Sequence, residues 1–220
     1  MEISSSSSAP RLPLIFIFVN HFGAIFKNRR GEESGEILLF TNYSKIHILR
    51  LAMRVLLSEE QVQQKVKALA RKISKDFSGR EVLLIGVLKG AFVFMADLAR
   101  KMTTPVKMDF VRLASYGSKT QASGRIRFTK DLETPLRGKD VLIVEDIIDT
   151  GVTLHHLCRR LEARKPRSLK VVALLDKPGR RKVDFQADYV GFQIENHFVV
   201  GYGLDWAEKY RNLGGIYVLK

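Results

Sequence analysis

A chain of 220 residues with 45% hydrophobic and 27% charged side chains holds one domain, or one domain plus an appendage, and is neither disordered nor fibrous in composition. Its formal charge of +14 asks for an anionic partner without choosing among nucleic acid, a membrane surface and phosphorylated metabolites. A single cysteine, Cys158, excludes an internal disulfide and fits a reducing compartment, the cytoplasm.

Residues 1–52 differ from the rest. They hold a serine run, Ser4–Ser8, and a short apolar stretch, Leu12–Val19, interrupted by Pro13. That stretch is far below the roughly 20 apolar residues a membrane span needs. A signal peptide would want a basic start, and only Arg11 is available. A transit peptide stays open, because the opening is Ser-rich and nearly free of acids. The expectation is a poorly structured or non-native extension before Met53. With six Lys or Arg against four Glu in residues 1–52, +12 of the +14 belongs to residues 53–220.

From Met53 the pattern is orderly. Arg54–Leu57 reads as an extended lead-in. Ser58 with Gln61 three residues on makes a capping box, and Val62, Val66, Leu69, Ala70 and Ile73 fall at helical spacing, so the spacing predicts a helix over 59–76 closed by Gly79. Val82–Leu88 is a continuous apolar run, as in a strand buried on both faces of a parallel sheet. Lys89-Gly90-Ala91 and a helix over Phe92–Met102 follow. Val106–Tyr116 and Arg125–Leu132 read as strands around the polar segment Gly117–Gly124, and Arg137–Asp140 as a turn. Val141–Glu145 is a buried strand and Val152–Arg164 a helix with Leu154, Leu157, Cys158 and Leu161 on one face. Leu169–Leu175 and Tyr189–Ile194 are further strands. This alternation implies an α/β fold with a parallel twisted sheet flanked by helices.

The chemistry concentrates in Val141–Leu154, VLIVEDIIDTGVTL. Glu145 and Asp146 come at the end of a buried strand, where open α/β sheets bind ligands. Paired acids there accept hydrogen bonds from two sugar hydroxyls and attract Mg2+. Asp149-Thr150-Gly151-Val152-Thr153 then turns the chain into a helix. Gly151 lets backbone N–H groups approach a ligand, Thr150 and Thr153 add hydroxyls, and the helix start supplies positive potential for a phosphate. Each piece alone is common; the ensemble is not. It is not a Walker loop, which needs Gly-x-x-x-x-Gly-Lys-Ser/Thr.

VLIVEDIIDTGVTL resembles the phosphoribosyl-pyrophosphate (PRPP) motif of the type I phosphoribosyltransferases, and more narrowly their hypoxanthine-guanine branch, with similarity across Met53 to Leu219. The resemblance implies that fold, with a small hood built from chain-terminal segments. It implies transfer of the 5-phosphoribosyl group from PRPP to hypoxanthine or guanine, as in purine salvage, with Mg2+ as cofactor and a homodimeric or homotetrameric assembly. No nucleic-acid or membrane partner is expected.

By the same resemblance, Glu145 and Asp146 bind the ribose hydroxyls beside Mg2+, and Asp149 is the general base or acid at purine N7. Asp149 as a plain helix cap is the competing reading. Thr150, Gly151, Val152 and Thr153 hold the 5′-phosphate. Leu88-Lys89-Gly90 matches the pyrophosphate loop, in which the peptide before the lysine can be cis, and Arg211 matches a pyrophosphate contact. Ser115-Tyr116 opens a stretch that resembles the mobile loop closing over the reaction centre. Lys177 matches the donor to the purine 6-oxo group, Phe198 the stacking aromatic, and Val199 the residue whose backbone meets the purine edge. Asp205 matches an acid that lies by the purine and helps hold a second Mg2+. Without the resemblance Phe198 reads as core and Arg211 as surface. Val152 stands where some relatives have lysine, with little lost because the contribution there is mainly backbone. Gly203 and Trp206 depart from common variants, which leaves hypoxanthine against guanine open. Two rivals remain: a xanthine- or adenine-directed transferase, decided by Lys177 and Val199, and an RNA-binding regulator, suggested by the basic run Arg159–Lys170.

A chain shortened to start at Met53 is expected to keep the solubility and transferase activity of the full chain. Side-by-side assay of the two checks this.

Overall fold

The computed structural model describes residues 53–115 and 126–219, which belong to one compact unit, Ala52–Lys220. The extension and the segment Gly117–Gly124 lie outside the described residues. In chain order the elements are β1 (Met53–Leu57), α1 (Glu59–Asp76), β2 (Val82–Leu88), α2 (Phe92–Lys101), β3 (Val106–Ser115), β4 (Ile126–Lys130), β5 (Asp140–Ile148), α3 (Val152–Glu162), β6 (Ser168–Asp176), a 3-10 turn (Pro178–Arg180), β7 (Tyr189–Gln193), β8 (Val199–Val200) and β9 (Ile216–Leu219).

The main sheet has the order β4-β3-β2-β5-β6-β7. All its pairings are parallel except β3 with β4, an antiparallel edge. The apolar runs β2, β5 and β6 alternate between two cores. Val82, Leu84, Leu142, Val144, Val172 and Leu174 face the side covered by α1 and α2, where Val66, Ile73, Phe94 and Leu98 are buried. Leu83, Ile85, Val141, Ile143, Val171 and Ala173 face α3 through Leu154, Leu157 and Leu161. Strands buried on both faces have no polar side to alternate with, hence the continuous hydrophobic text. Cys158, expected on that apolar face, is only partly buried against the second core.

A second sheet of three short antiparallel strands, β1-β9-β8, forms the hood. It joins the first core through Val199, Ile216 and Val218. Tyr202 ties the same segment to α2: its hydroxyl donates to Asp97 Oδ2 at 2.7 Å, which also accepts from Gln63 at 2.8 Å. β8 and β9 are too short to show a period, which is why only the lead-in at β1 is legible in the sequence.

Helix α1 spans the predicted residues, and Ser58 and Gln61 exchange both capping bonds. The largest departures concern β5. It begins at Asp140, predicted as turn, and runs on to Ile148, past the predicted end at Glu145, so Asp146 too lies inside the strand. Pairing of Ile147 with Leu175 and Ile148 with Asp176 carries the ladder past the acids. Gly79 adopts φ +73 two residues after the C-cap Phe77. Helices α2 and α3 stop one and two residues short of the predicted ends, at Lys101 and Glu162.

Asp140 anchors the start of β5 with a buried side chain. It accepts from Ser168 Oγ at 2.6 Å, from Arg167 Nε at 3.0 Å and from Arg80 at 3.3 Å. Arg167 is the main cause that holds the Asp140 carboxyl below its usual range; burial opposes it, and Ser168 and Arg80 add to the lowering. A depressed carboxylate stabilises the fold above its unfolded pKa and loses that contribution as pH falls through the folded value. Asp140→Asn should therefore cost about 1–3 kcal/mol near neutral pH. The difference from the parent should shrink below about pH 4, as read by denaturant unfolding across that range.

Candidate active site

Because β2, β5 and β6 run parallel, their carboxyl ends gather at one edge, where an open α/β sheet binds ligands. The edge carries Lys89-Gly90 after β2, Glu145-Asp146 and Asp149 at β5, and Lys177 after β6, whose N–H donates to Ile148 O at 2.9 Å.

The acid pair is the most constrained part. Asp146 is 8% exposed, and its Oδ1 accepts from the Ile147 N–H at 2.7 Å. Glu145 Oε2 is buried with no partner among the described residues. Burial, then the neighbouring Asp146, pushes the Glu145 carboxyl well up. Burial also raises Asp146, against hydrogen bonds from Glu145 and the backbone and the charge of Arg211. Two desolvated carboxyls, one with an orphaned oxygen, suit hydroxyl donors and a cation. Gly90 packs onto them so closely that a Cβ at that position would overlap the Asp146 carboxylate. The peptide Leu88-Lys89 is cis.

The turn into α3 is built for an anion. Gly151 adopts φ +78 as the N-cap, no side chain caps the helix, and its first turn holds no acid. Helix α1, by contrast, has a side-chain cap and Glu59 and Glu60 in its first turn. The N–H groups at the start of α3 thus point out with the positive end of the helix dipole, Val152 making only a long bond to Thr150. Thr150 Oγ1 accepts from the Val152 N–H at 3.4 Å. A single cleft is lined by Glu145, Ile147–Gly151, Thr153 and Leu154.

Asp149 is not a helix cap. Its carboxylate accepts from Arg180 Nε at 2.8 Å and Nη2 at 3.4 Å. Lys177 is 8% exposed. Burial lowers its pKa, with Asp149 opposing and Arg180 reinforcing that shift, so the three charges share one neighbourhood. Arg181 completes it: Nη1 donates to Asp149 O at 2.6 Å, Nε to Phe185 O at 3.1 Å, and Nη2 pairs with Asp176.

On the hood, Val199 is buried and pairs with Val218, whereas Phe198 is 56% exposed. The reading of Phe198 as core is therefore corrected: burial begins with Val199 and Val200 of β8, and Phe198 precedes that strand on the surface. The surface reading of Arg211 is corrected too, since its side chain is 19% exposed. It donates to Gly203 O at 2.8 Å, pairs with Asp205 at 2.7 Å and lies near enough to Asp146 to lower its pKa. Glu145, Asp146 and Asp205 do not form a three-acid metal cluster; none exists among the described residues. Ser115 ends β3, and Tyr116 lies outside the described residues.

The profile of the phosphoribosyl transferase domain matches residues 55–206. Hypoxanthine-guanine phosphoribosyltransferase of Bacillus subtilis is 52% identical over 167 residues, covering 76% of this chain and 93% of that protein. The chain belongs to the hypoxanthine-guanine phosphoribosyltransferase family. The Aquifex aeolicus enzyme of the same name is 45% identical over 169 residues, covering 76% of this chain and 95% of that protein. Among solved structures, a hypoxanthine-guanine phosphoribosyltransferase from Bacillus anthracis, with a HEPES molecule in its active site, superposes with TM-score 0.73 at 52% identity. That match covers 76% of this chain and 98% of the other. A hypoxanthine phosphoribosyltransferase from Staphylococcus aureus gives TM-score 0.76 at 44% identity, covering 79% and 95%.

In this member of the family, sequence reasoning missed the side chains that hold the functional ones. Arg180 on Asp149, Arg181 on Asp176, Tyr202 on Asp97 and Glu208 on Lys89 all join residues distant in the chain except the second. The run Arg180-Arg181-Lys182 just after Lys177 was the one local signal.

Gly90→Ala should displace the Asp146 carboxylate and the Lys89-Gly90 loop together. An ångström-scale shift of that kind lowers kcat/KM by about 100-fold. Steady-state assay with PRPP varied checks it, with retained far-UV circular dichroism showing the fold intact.

Proposed function

We propose that this chain transfers the 5-phosphoribosyl group of PRPP to N9 of hypoxanthine, and of guanine, releasing pyrophosphate and IMP or GMP. The observation that carries the reading is the cleft in which Glu145, one of the buried acid pair, meets Asp149, Thr150, Gly151 and Thr153 at the start of α3. Sugar hydroxyls and a phosphate on the same molecule suit those two parts.

In this reading the 5′-phosphate accepts from the N–H groups of 150–153 and the Thr150 and Thr153 hydroxyls. The ribose hydroxyls donate to Glu145 and Asp146, and the pyrophosphate lies against Lys89, the Gly90 backbone and Arg211. The C1′–O bond to pyrophosphate breaks as C1′–N9 forms, and Asp149 accepts the proton that the base carries at N7. A purine reaching Asp149 displaces Arg180 from it. Lys177 donates to the 6-oxo oxygen; an ammonium has no acceptor for a 6-amino group, so adenine is disfavoured. Phe198 offers an exposed ring to stack on the base and Val199 its backbone to the purine edge. The Glu145-Asp146 pair fits Mg2+, since burial of both and the charge of Asp146 beside Glu145 favour a bound cation; Asp205 is the further candidate ligand. When bound, Mg2+ neutralises the charge of the departing pyrophosphate.

The RNA-binding alternative is weakened by what the basic run touches. Arg164 pairs with Asp131 at 2.6 Å and Arg167 with Asp140. Arg160 stacks over Phe128 at 4.2 Å, and Lys170 bonds Tyr189 at 3.2 Å. Among the described residues no helix is long and apolar enough to cross a membrane. We place the enzyme in the cytoplasm as a homodimer or homotetramer, the latter checked by light scattering.

The test is radiolabelled hypoxanthine, guanine, xanthine and adenine with PRPP and Mg2+. Hypoxanthine and guanine should be used well and adenine poorly; a strong adenine preference would sink the assignment. In the same assay Asp149→Asn should lower kcat by at least about 100-fold, and unchanged turnover would remove Asp149 from the chemistry.

A further inference from the structure

Two segments far apart in the chain meet through one carboxylate that the reaction does not use. Glu208 Oε2 accepts from Lys89 Nζ at 2.8 Å, across 119 residues of sequence, and lies 3.4 Å from Arg211 Nη2. Both cations are those assigned above to pyrophosphate. Burial does not bring Glu208 there, since its side chain is 65% exposed. The turn that carries it does. The Glu208 N–H donates to Asp205 Oδ2 at 2.9 Å, and Trp206 and Lys209 exchange backbone bonds at 3.2 and 3.0 Å. Ala207 and Glu208 adopt left-handed φ of 52 and 63, a conformation that side chains other than glycine rarely hold without surrounding support.

We propose that Glu208 is an internal counter-ion of the pyrophosphate subsite, occupying Lys89 and Arg211 in the ligand-free protein and yielding them to the incoming phosphate chain. The inference rests on the assignment of that subsite given under the proposed function. An anion binds only to the fraction of molecules in which the cations are free, so a standing competitor raises its apparent Kd by the reciprocal of that fraction. The same competitor helps the product leave, because Glu208 returns as pyrophosphate departs. Arg211 stays in place throughout, held by Gly203 O at 2.8 Å and Asp205 at 2.7 Å. Lys89, 45% exposed on a flexible stem, is the partner that swings between the two anions. Glu208 is thus a positioning residue: it sets affinity for the phosphate chain without touching the reacting atoms.

The experiment is calorimetric titration of the full chain with pyrophosphate in Mg2+, for the parent, E208Q, K89Q and the double variant. Melting of each ligand-free variant serves as the folding check. E208Q should bind pyrophosphate about twofold to fivefold more tightly, the range that an exposed ion pair supports. The gain should shrink with added salt. KM for PRPP should fall in parallel while kcat does not rise. K89Q should bind more weakly, and E208Q should gain less in its background. Unchanged or weaker binding by E208Q, alongside weaker binding by K89Q, overturns the counter-ion and leaves the subsite standing. If K89Q binds pyrophosphate as the parent does, the subsite assignment itself fails and the inference falls with it.

Discussion

Two carboxyls buried side by side, Glu145 and Asp146, are the constraint around which the rest is arranged. Placing them within β5, a strand covered on both faces, removes the water that would solvate them. Asp146 raises Glu145 further, while a hydrogen bond from Glu145 offsets part of the rise at Asp146. The apolar residues of β5 and its neighbours β2 and β6 supply the burial energy that keeps the strand in place despite this. The surroundings then follow. Gly90 is where a side chain would strike Asp146, Arg211 lends positive potential, and α3 begins bare of acids within the same cleft. Stability is given up locally where function requires charge, and recovered in the two cores.

The ion pairs of the protein fall into two groups with different physics. Asp140 with Arg80 and Arg167, Asp176 with Arg181, and Asp97 with Arg100 bring a largely buried acid to a more exposed cation. Leaving such an acid unpaired is costly, so these hold architecture. Asp149 with Arg180 and Lys89 with Glu208 join partners that are each 43% to 65% exposed. Pairs of that kind are worth little and are easily exchanged. The groups assigned to substrate therefore have internal stand-ins that a stronger ligand displaces. In the densest basic run Arg160, Arg164 and Arg167 are tied to acids, and Arg160 also to a ring.

Sequence legibility tracked the range of the interactions. Helix α1 was readable from end to end because a capping box and a 3.6-residue apolar period are local signals. β2 was readable because an unbroken apolar run of strand length between turn residues has few other outcomes. The far end of β5 was not, since Ile147 and Ile148 are strand only through pairing with Leu175 and Asp176. Phe198 and Arg211 were misplaced by residue type alone. One is an aromatic left exposed just before β8, the other an arginine drawn in by the Gly203 carbonyl and Asp205.

What the sequence by itself determined is the α/β layering from Met53 onward and the grouping of Glu145, Asp146, Asp149 and Thr150–Thr153 on one strand-turn-helix. Both follow from spacing within a dozen or so residues. Only the tertiary structure decided that Lys89, Lys177 and Arg211 converge on that unit, that Arg180 and Glu208 hold Asp149 and Lys89, and that Glu145 keeps a buried oxygen without a partner among the described residues. Those facts depend on parallel strands meeting at one edge and on a hood folded back over it. No local pattern encodes a contact between residues 119 positions apart.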